Sequence, residues 1–216
     1  MKPEQPFRRY WPALAWLALV GLWTLLVMAG WLAAPDLAGL LLFRDPADQT
    51  QTLGPAWLAD VVGVLTEAGA TELTLVLGAL LVTAVWYRVG RAEALKILAA
   101  IVLWMALITL LKLVVARPRP DLVGHLTEVA TLSYPSGHTA RAALLYALWA
   151  QWLPRLTGLA RAPVLVIGLG LIVMVGVSRV FLGVHWPSDV IASWLLAAFW
   201  LRLWWPPPAA DAADGL

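Results

Sequence analysis

Arg179, His185 and Asp189 stand close together in the stretch SRVFLGVHWPSD, inside a chain that is otherwise almost free of charge. Ionisable groups are expensive in or beside lipid, so such a cluster needs internal partners or a function. Two more clusters lie upstream: KLVVARPRP from Lys112 to Pro120, and YPSGHT from Tyr134 to Thr139. Lys112, Arg119 and Arg179 offer charge-assisted donors, and the arginine fork suits phosphate. Gly137 permits close backbone approach. A helix beginning near it presents free N–H groups and a positive dipole end, with Ser136 as its cap or as a donor to an anion. Asp189 can accept from one ring nitrogen of His185 and leave the other free to attack. His138 can protonate a departing oxygen. Together these residue types describe an anion site equipped for phosphoryl transfer, a reaction that needs mainly positioning and charge stabilisation.

The chain that must position them has 216 residues, 62% of them hydrophobic and only 13% charged. Its mean hydropathy is +0.80. A soluble domain carries about 25% charged residues, so this composition is that of an integral membrane protein. There is no basic run to suggest a nucleic-acid partner, and the net charge of +2 is small. No cysteine is present, which removes disulfides and thiolate metal sites. Neither a metal nor another cofactor is expected: Asp121 and Glu128 lack ligand spacing toward His185 and Asp189. The 14 tryptophans suit membrane-boundary and packing positions.

The expected fold is all-α, a polytopic bundle of six transmembrane helices. A span needs ~20 apolar residues as helix. Six segments meet or approach that length: 11–34, 72–89, 93–115, 139–153, 162–177 and 188–205. The first is too long for a signal-peptide core and reads as an anchor. Residues 35–70 fall between spans, and Trp57, Leu58, Val61, Val62, Val64 and Leu65 recur at helical spacing. They describe an amphipathic surface helix, either bordering a lipid entrance or serving as a connector. Residues 206–216 have the composition of a disordered tail. The whole chain, 1–216, reads as one domain.

Lysine and arginine set the orientation. With the N-terminus in the cytoplasm, that side holds Lys2, Arg8, Arg9, Arg88, Arg91, Lys96, Arg155, Arg161 and Arg202. The other side holds Arg44, Lys112, Arg117, Arg119, Arg141 and Arg179, mostly from the three clusters. All three clusters then reach the same, extracytoplasmic end of the bundle.

The clusters resemble the three-part signature of the type-2 phosphatidic acid phosphatase superfamily: K-x6-RP, PSGH and SR-x5-H-x3-D. Here these are Lys112 with Arg119-Pro120, Pro135 to His138, and Ser178-Arg179 with His185 and Asp189. No position departs from the pattern, which spans residues 112–189. The resemblance implies six membrane helices and metal-independent dephosphorylation through a phosphohistidine. It implies His185 as nucleophile, Asp189 as its orienter and His138 as general acid. Lys112, Arg119, Ser136, Gly137 and Arg179 would hold the phosphate. Arg117, Arg141 and His125 lie outside the signature, with Arg117 adding field at the site and His125 a loop residue.

The expected activity is hydrolysis of a lipid phosphate or diphosphate at the outer leaflet of a bacterial inner membrane. Phosphatidic acid, phosphatidylglycerol phosphate and undecaprenyl diphosphate all fit. A phosphotransferase using the same intermediate, and a non-catalytic lipid-phosphate binding or transport protein, remain alternatives. The expected partners are that lipid substrate and the bilayer. The chain's lack of cysteine makes a topology test clean: a cysteine placed at Gly124 should react with an impermeant reagent from outside the cell. Reaction only from the cytoplasmic side would overturn the orientation.

Overall fold

The computed structural model describes residues 10–206. The predicted tail, beyond Pro206, therefore lies outside the described residues, as do Lys2, Arg8 and Arg9. The elements run α1 (Trp11–Met28), α2 (Ala33–Leu41), α3 (Ala56–Thr66), a single 3-10 turn (Glu67–Gly69), α4 (Thr71–Arg88), α5 (Arg91–Val115), α6 (Gly137–Thr157), α7 (Arg161–Phe181) and α8 (Pro187–Trp204). The fold is all-α, as expected. Six of these helices have 18 to 25 residues and correspond to the six predicted segments. Four of them, α1, α4, α5 and α7, are by themselves long and apolar enough to cross a membrane. α6 and α8 are diluted by polar residues such as His138, Arg141, Ser188 and Asp189, and they are the helices with the most buried faces.

Several boundaries differ from the sequence reading. The first helix ends at Met28 rather than Ala34. Gly30, at φ 76°, breaks it, and α2 starts after a tight turn. The fourth long helix runs past Leu153 to Thr157: Pro154 falls in its last turn and removes one backbone bond without ending the helix, which closes at Gly158. The fifth continues to Phe181, so Arg179 lies within its final turn rather than after it. His185 and Asp189 do not share a helical turn: His185 precedes the N-cap residue Trp186, and Asp189 is the third residue of α8.

α6 is the central post. It packs against α4, α5, α7 and α8, while α1 lies along α8 and α4 along α5. Its inward residues Ala140, Ala143, Leu144 and Leu148 join Trp104, Ile97 and Trp200 in the main core. Trp104 and Trp200 are packing tryptophans: their rings lie 5.7 Å apart, and each indole N–H donates to a backbone carbonyl, of Ala140 and Ala100 respectively. Trp11, Trp31 and Trp57 are instead exposed, as belt residues should be. The outward faces of α1, α4, α5 and α7 expose Leu25, Leu75, Val102, Leu113 and Val166. In a membrane bundle this apolar exterior faces lipid.

α3 is the amphipathic surface helix foreseen between residues 57 and 65. It packs on α7, leaving Trp57, Val61 and Val64 exposed. The up-and-down connection brings the last turns of α5 and α7 and the first turns of α6 and α8 to one end of the bundle.

Close helix approach supports this arrangement. A Cβ on Gly176 of α7 would lie 2.5 Å from the Trp194 ring and 2.8 Å from Val190, both on α8. Gly176→Ala should therefore destabilise the bundle by about 1–3 kcal/mol through overpacking. The unfolding midpoint in detergent should fall; an unchanged midpoint would mean that α7 and α8 do not pack this closely.

Candidate active site

Lys112 is in the last turn of α5. The next helical boundary is made by Ala116, which adopts a left-handed φ of 49° and turns the chain into the 117–120 strap. Pro118 and Pro120 keep that strap extended, so Arg117 and Arg119 can point to different places. Arg119 reaches toward His185, while Arg117 turns to the base of α8. Gly137 and His138 open α6, and Arg179 closes α7.

These groups line one cavity of about 440 Å³. Its wall includes Lys112, Arg119, Gly137, His138, Arg179 and His185, so both histidines face the same space. Arg141, outside the recognised pattern, lines it too. Ser136 does not belong to the wall among the described residues. It is fully buried, and its hydroxyl oxygen accepts from Thr139 at 2.9 Å. Asp189 is also fully buried and acts at one remove, through His185.

The cations are held by neutral oxygens. Lys112 donates to the Leu132 carbonyl. Arg119 donates to the carbonyls of Thr131 and Val184 and to the Thr131 hydroxyl. Arg141 donates to the Gly69 carbonyl, and Arg179 to the Thr66 hydroxyl. The Nε of Arg179 is buried with no partner among the described residues. None of these contacts cancels charge; Glu67 and Glu128 also line the cavity without an ion pair among the described residues, so four cations outnumber two carboxylates there and the balance favours an anion.

Ring contacts fix the tautomers, because arginine can only donate. Arg119 Nη1 lies 3.2 Å from His185 Nε2, which must therefore be the acceptor and carry the free lone pair. The ring proton is then on Nδ1, facing Ser133 Oγ at 3.3 Å and Asp189 Oδ2 at 3.4 Å. Ser133 Oγ donates to that same Oδ2 at 2.5 Å. The second contact to Oδ2 comes from the Trp186 backbone N–H at 3.0 Å, which ties Asp189 to the start of its own helix. Burial, with Arg119 and Arg179 nearby, pushes the His185 imidazole down to about 3, against the opposing pull of Asp189. The ring is thus neutral at ordinary pH, as a nitrogen nucleophile must be. On the other side of the cavity, Arg141 Nη2 lies 3.2 Å from His138 Nδ1, which leaves the His138 proton on Nε2.

Sequence reasoning missed Ser133, Thr66, Gly69 and Arg141. Ser133 and Arg141 are within a few residues of PSGH: Ser133 carries no distinctive signal, and Arg141, though a rare charge placed on the outer side, falls outside the signature. Thr66 and Gly69 reach the site only because the end of α3 docks against α6 and α7. His125 is a loop residue, as expected: its ring nitrogen pairs with the Pro120 carbonyl. No group of three or more His, Cys, Asp or Glu able to hold a metal occurs among the described residues.

Known proteins share both the sequence pattern and the fold. Residues 93–209 match the family model described as the PAP2 superfamily. Phosphatidylglycerophosphatase B of Bacillus subtilis (strain 168) is 31% identical over 144 residues, or 65% of this chain and 70% of that protein. An undecaprenyl-diphosphatase of Sulfolobus acidocaldarius is 46% identical over 69 residues, or 31% of this chain and 29% of that protein. The fold resembles the crystal structure of a transmembrane PAP2-type phosphatidylglycerolphosphate phosphatase from Bacillus subtilis. The TM-score is 0.77 at 24% identity, covering 94% of this chain and 96% of that one.

The unpartnered Nε of Arg179 generates a direct test. Arg179→Gln should weaken orthovanadate binding about 10- to 100-fold, the loss of a charged hydrogen bond. Titration calorimetry in detergent measures it; unchanged affinity would remove Arg179 from the anion site.

Proposed function

This chain belongs to the PAP2 superfamily, and on that premise we propose that it is a membrane phosphatase acting on a lipid phosphate or diphosphate through a phosphohistidine. The observation that carries the reading is the placement of His138 and His185 on one cavity with Lys112, Arg119 and Arg179.

The lone pair on His185 Nε2 attacks phosphorus. The bond from phosphorus to the lipid oxygen breaks, and that oxygen takes a proton from the imidazolium form of His138, which the negative charge of a bound phosphate favours over the neutral ring. The ring of His185 gains positive character, which the Asp189 carboxylate stabilises through Nδ1–H. A water molecule then attacks phosphorus and gives its proton to His138. The phosphorus–nitrogen bond breaks, and inorganic phosphate leaves. The cations and the N–H groups at the start of α6 stabilise the equatorial oxygens throughout. This assigns catalysis to His185, His138 and Asp189. Lys112, Arg119, Gly137 and Arg179 bind phosphate, with Ser136 supporting the α6 start. No step requires a metal, because side-chain cations supply the charge stabilisation that a metal otherwise provides.

The substrate class follows from the cavity's second wall. Below Lys112, α5 contributes Ile108, Met105 and Trp104. Trp104 is two turns further along the helix, about 12 Å away at 1.5 Å per residue. A phosphate among the cations can thus continue into an apolar chain. Phosphatidylglycerol phosphate, phosphatidic acid and undecaprenyl diphosphate share that form, and two of the similar proteins are named for such lipids. A pure binding protein needs only the cations, and the Asp189–Ser133–His185 arrangement would then serve nothing.

The reading places the site at the extracytoplasmic face of a bacterial inner membrane. Support comes from Arg88, Arg91, Arg155, Arg161 and Arg202, which lie at the opposite ends of their helices from the site. That distribution satisfies the positive-inside rule. The domain assignment, one unit over 1–216, goes with the same proposal.

Purified protein should release inorganic phosphate from a lipid phosphate in the presence of EDTA. His185→Ala should abolish release and trap no acid-labile phosphoprotein. Retained turnover in that variant would reassign the nucleophile, and full inhibition by EDTA would contradict the metal-free scheme. Ser133→Ala should lower kcat about tenfold, the loss of one charged hydrogen bond to Asp189. A wild-type kcat in that variant would show that Asp189 orients the ring without it.

A further inference from the structure

Arg117 stands outside the recognised pattern, yet it pairs directly with two buried carboxylates. Its Nη1 donates to Asp189 Oδ1 and to Ser188 Oγ, each at 2.7 Å. Its Nη2 donates to Asp36 Oδ2 at 2.7 Å. The Trp186 ring covers the guanidinium at 5.4 Å. Asp36 comes from α2, in the segment between the first two long helices, and is only 2% exposed. It accepts the Ser188 backbone N–H at 2.8 Å on Oδ1 and the Ser188 hydroxyl at 2.6 Å on Oδ2.

We propose that Asp36 is a positioning and charge-setting residue for the His185–Asp189 pair, acting through Arg117. The inference rests on the assignment of His185 as nucleophile and Asp189 as its orienter.

The physical reason lies in charge balance. Asp189 is fully buried, and a guanidinium 2.7 Å away would neutralise much of its field if it faced that carboxylate alone. Its pull on His185 would then weaken at the moment when attack on phosphorus makes the ring positive. Asp36 supplies a second buried carboxylate on the same guanidinium. The three groups together carry one net negative charge rather than none. Arg117 can then hold Asp189 in place without cancelling it. The oxygens of Asp189 divide the work: Oδ1 takes Arg117, and Oδ2 faces Ser133 and the ring. Asp36 also holds the start of α8 through Ser188, so charge and geometry arrive from one side chain.

Asp36→Asn keeps the hold on α8 and removes the charge: the amide oxygen still accepts the Ser188 N–H, while the NH2 takes the place of Oδ2, so the carboxylate that faced Arg117 is gone. The expected result is a fall in kcat of about tenfold or more, with KM within about twofold. Adding Arg117→Gln should recover about threefold or more of that loss, because it removes the cation that now neutralises Asp189. A purely structural role predicts the opposite, a double variant worse than the single one. Wild-type kcat in Asp36→Asn, or a double variant slower than the single one, overturns the proposal. His185→Ala is assayed beside them. If it retains turnover, the assignment of the nucleophile fails; if it is inactive and Asp36→Asn is unaffected, only the role of Asp36 fails.

Discussion

Four cations gathered on one cavity, none of them ion-paired with a carboxylate among the described residues, are the constraint on which the structure depends. Lys112, Arg119, Arg141 and Arg179 all line one cavity. Like charges repel, and burial adds a desolvation penalty. The protein answers with carbonyls and hydroxyls from Leu132, Thr131, Val184, Gly69 and Thr66. These satisfy N–H groups without spending their charge. Carboxylates are reserved for Arg117, whose guanidinium turns away from the cavity toward α8. Two neighbouring arginines in one strap thereby do different electrical jobs, and the Pro118 between them keeps the jobs apart.

That constraint explains the architecture around it. Neutral oxygens of backbone origin must come from irregular chain, since helical carbonyls are already paired. The 117–136 connection, the 66–69 turn and the 182–186 link supply them. Irregular backbone at membrane depth is tolerated where it lines a polar cavity or is buried in protein. The helices meanwhile act as rigid rods that set where the cations start. α6 is the reference post, fixed by Trp104 to the Ala140 carbonyl and by small residues at its interfaces.

Much of this was legible in the sequence, for identifiable reasons. Apolar length alone places five of the six long helices with both ends within four residues. The first is drawn six residues too long because its apolar run continues past the break at Gly30, and the fourth is drawn short because its polar first turn and Pro154 interrupt the pattern. The cations and histidines stood out because charge is rare here, and alternating helix direction put them at one end. Three things stayed hidden. Asp36 looked like a loop residue after a long span, and only the turn at Gly30 folds it back onto α8. Ser133 has no periodic or compositional mark. The four-residue spacing of His185 and Asp189 suggests one helical turn, whereas the contact is made across an N-cap. Local pattern reveals which residues are unusual; partners distant in the chain decide what each one does.

The cavity has two unlike borders. Residues Thr127 to Thr131 close it with a polar loop, and Trp104, Met105 and Ile108 continue it as an apolar strip along α5. On the proposed reading, the two products of one turnover differ in the same way. Orthophosphate is stable only in water, and the dephosphorylated lipid only in the bilayer. Each border therefore works as a sorting door, and recapture of one product is governed by a volume concentration while that of the other is governed by a surface density. Diluting the aqueous phase and diluting the membrane with inert lipid become separate handles on the reverse reaction.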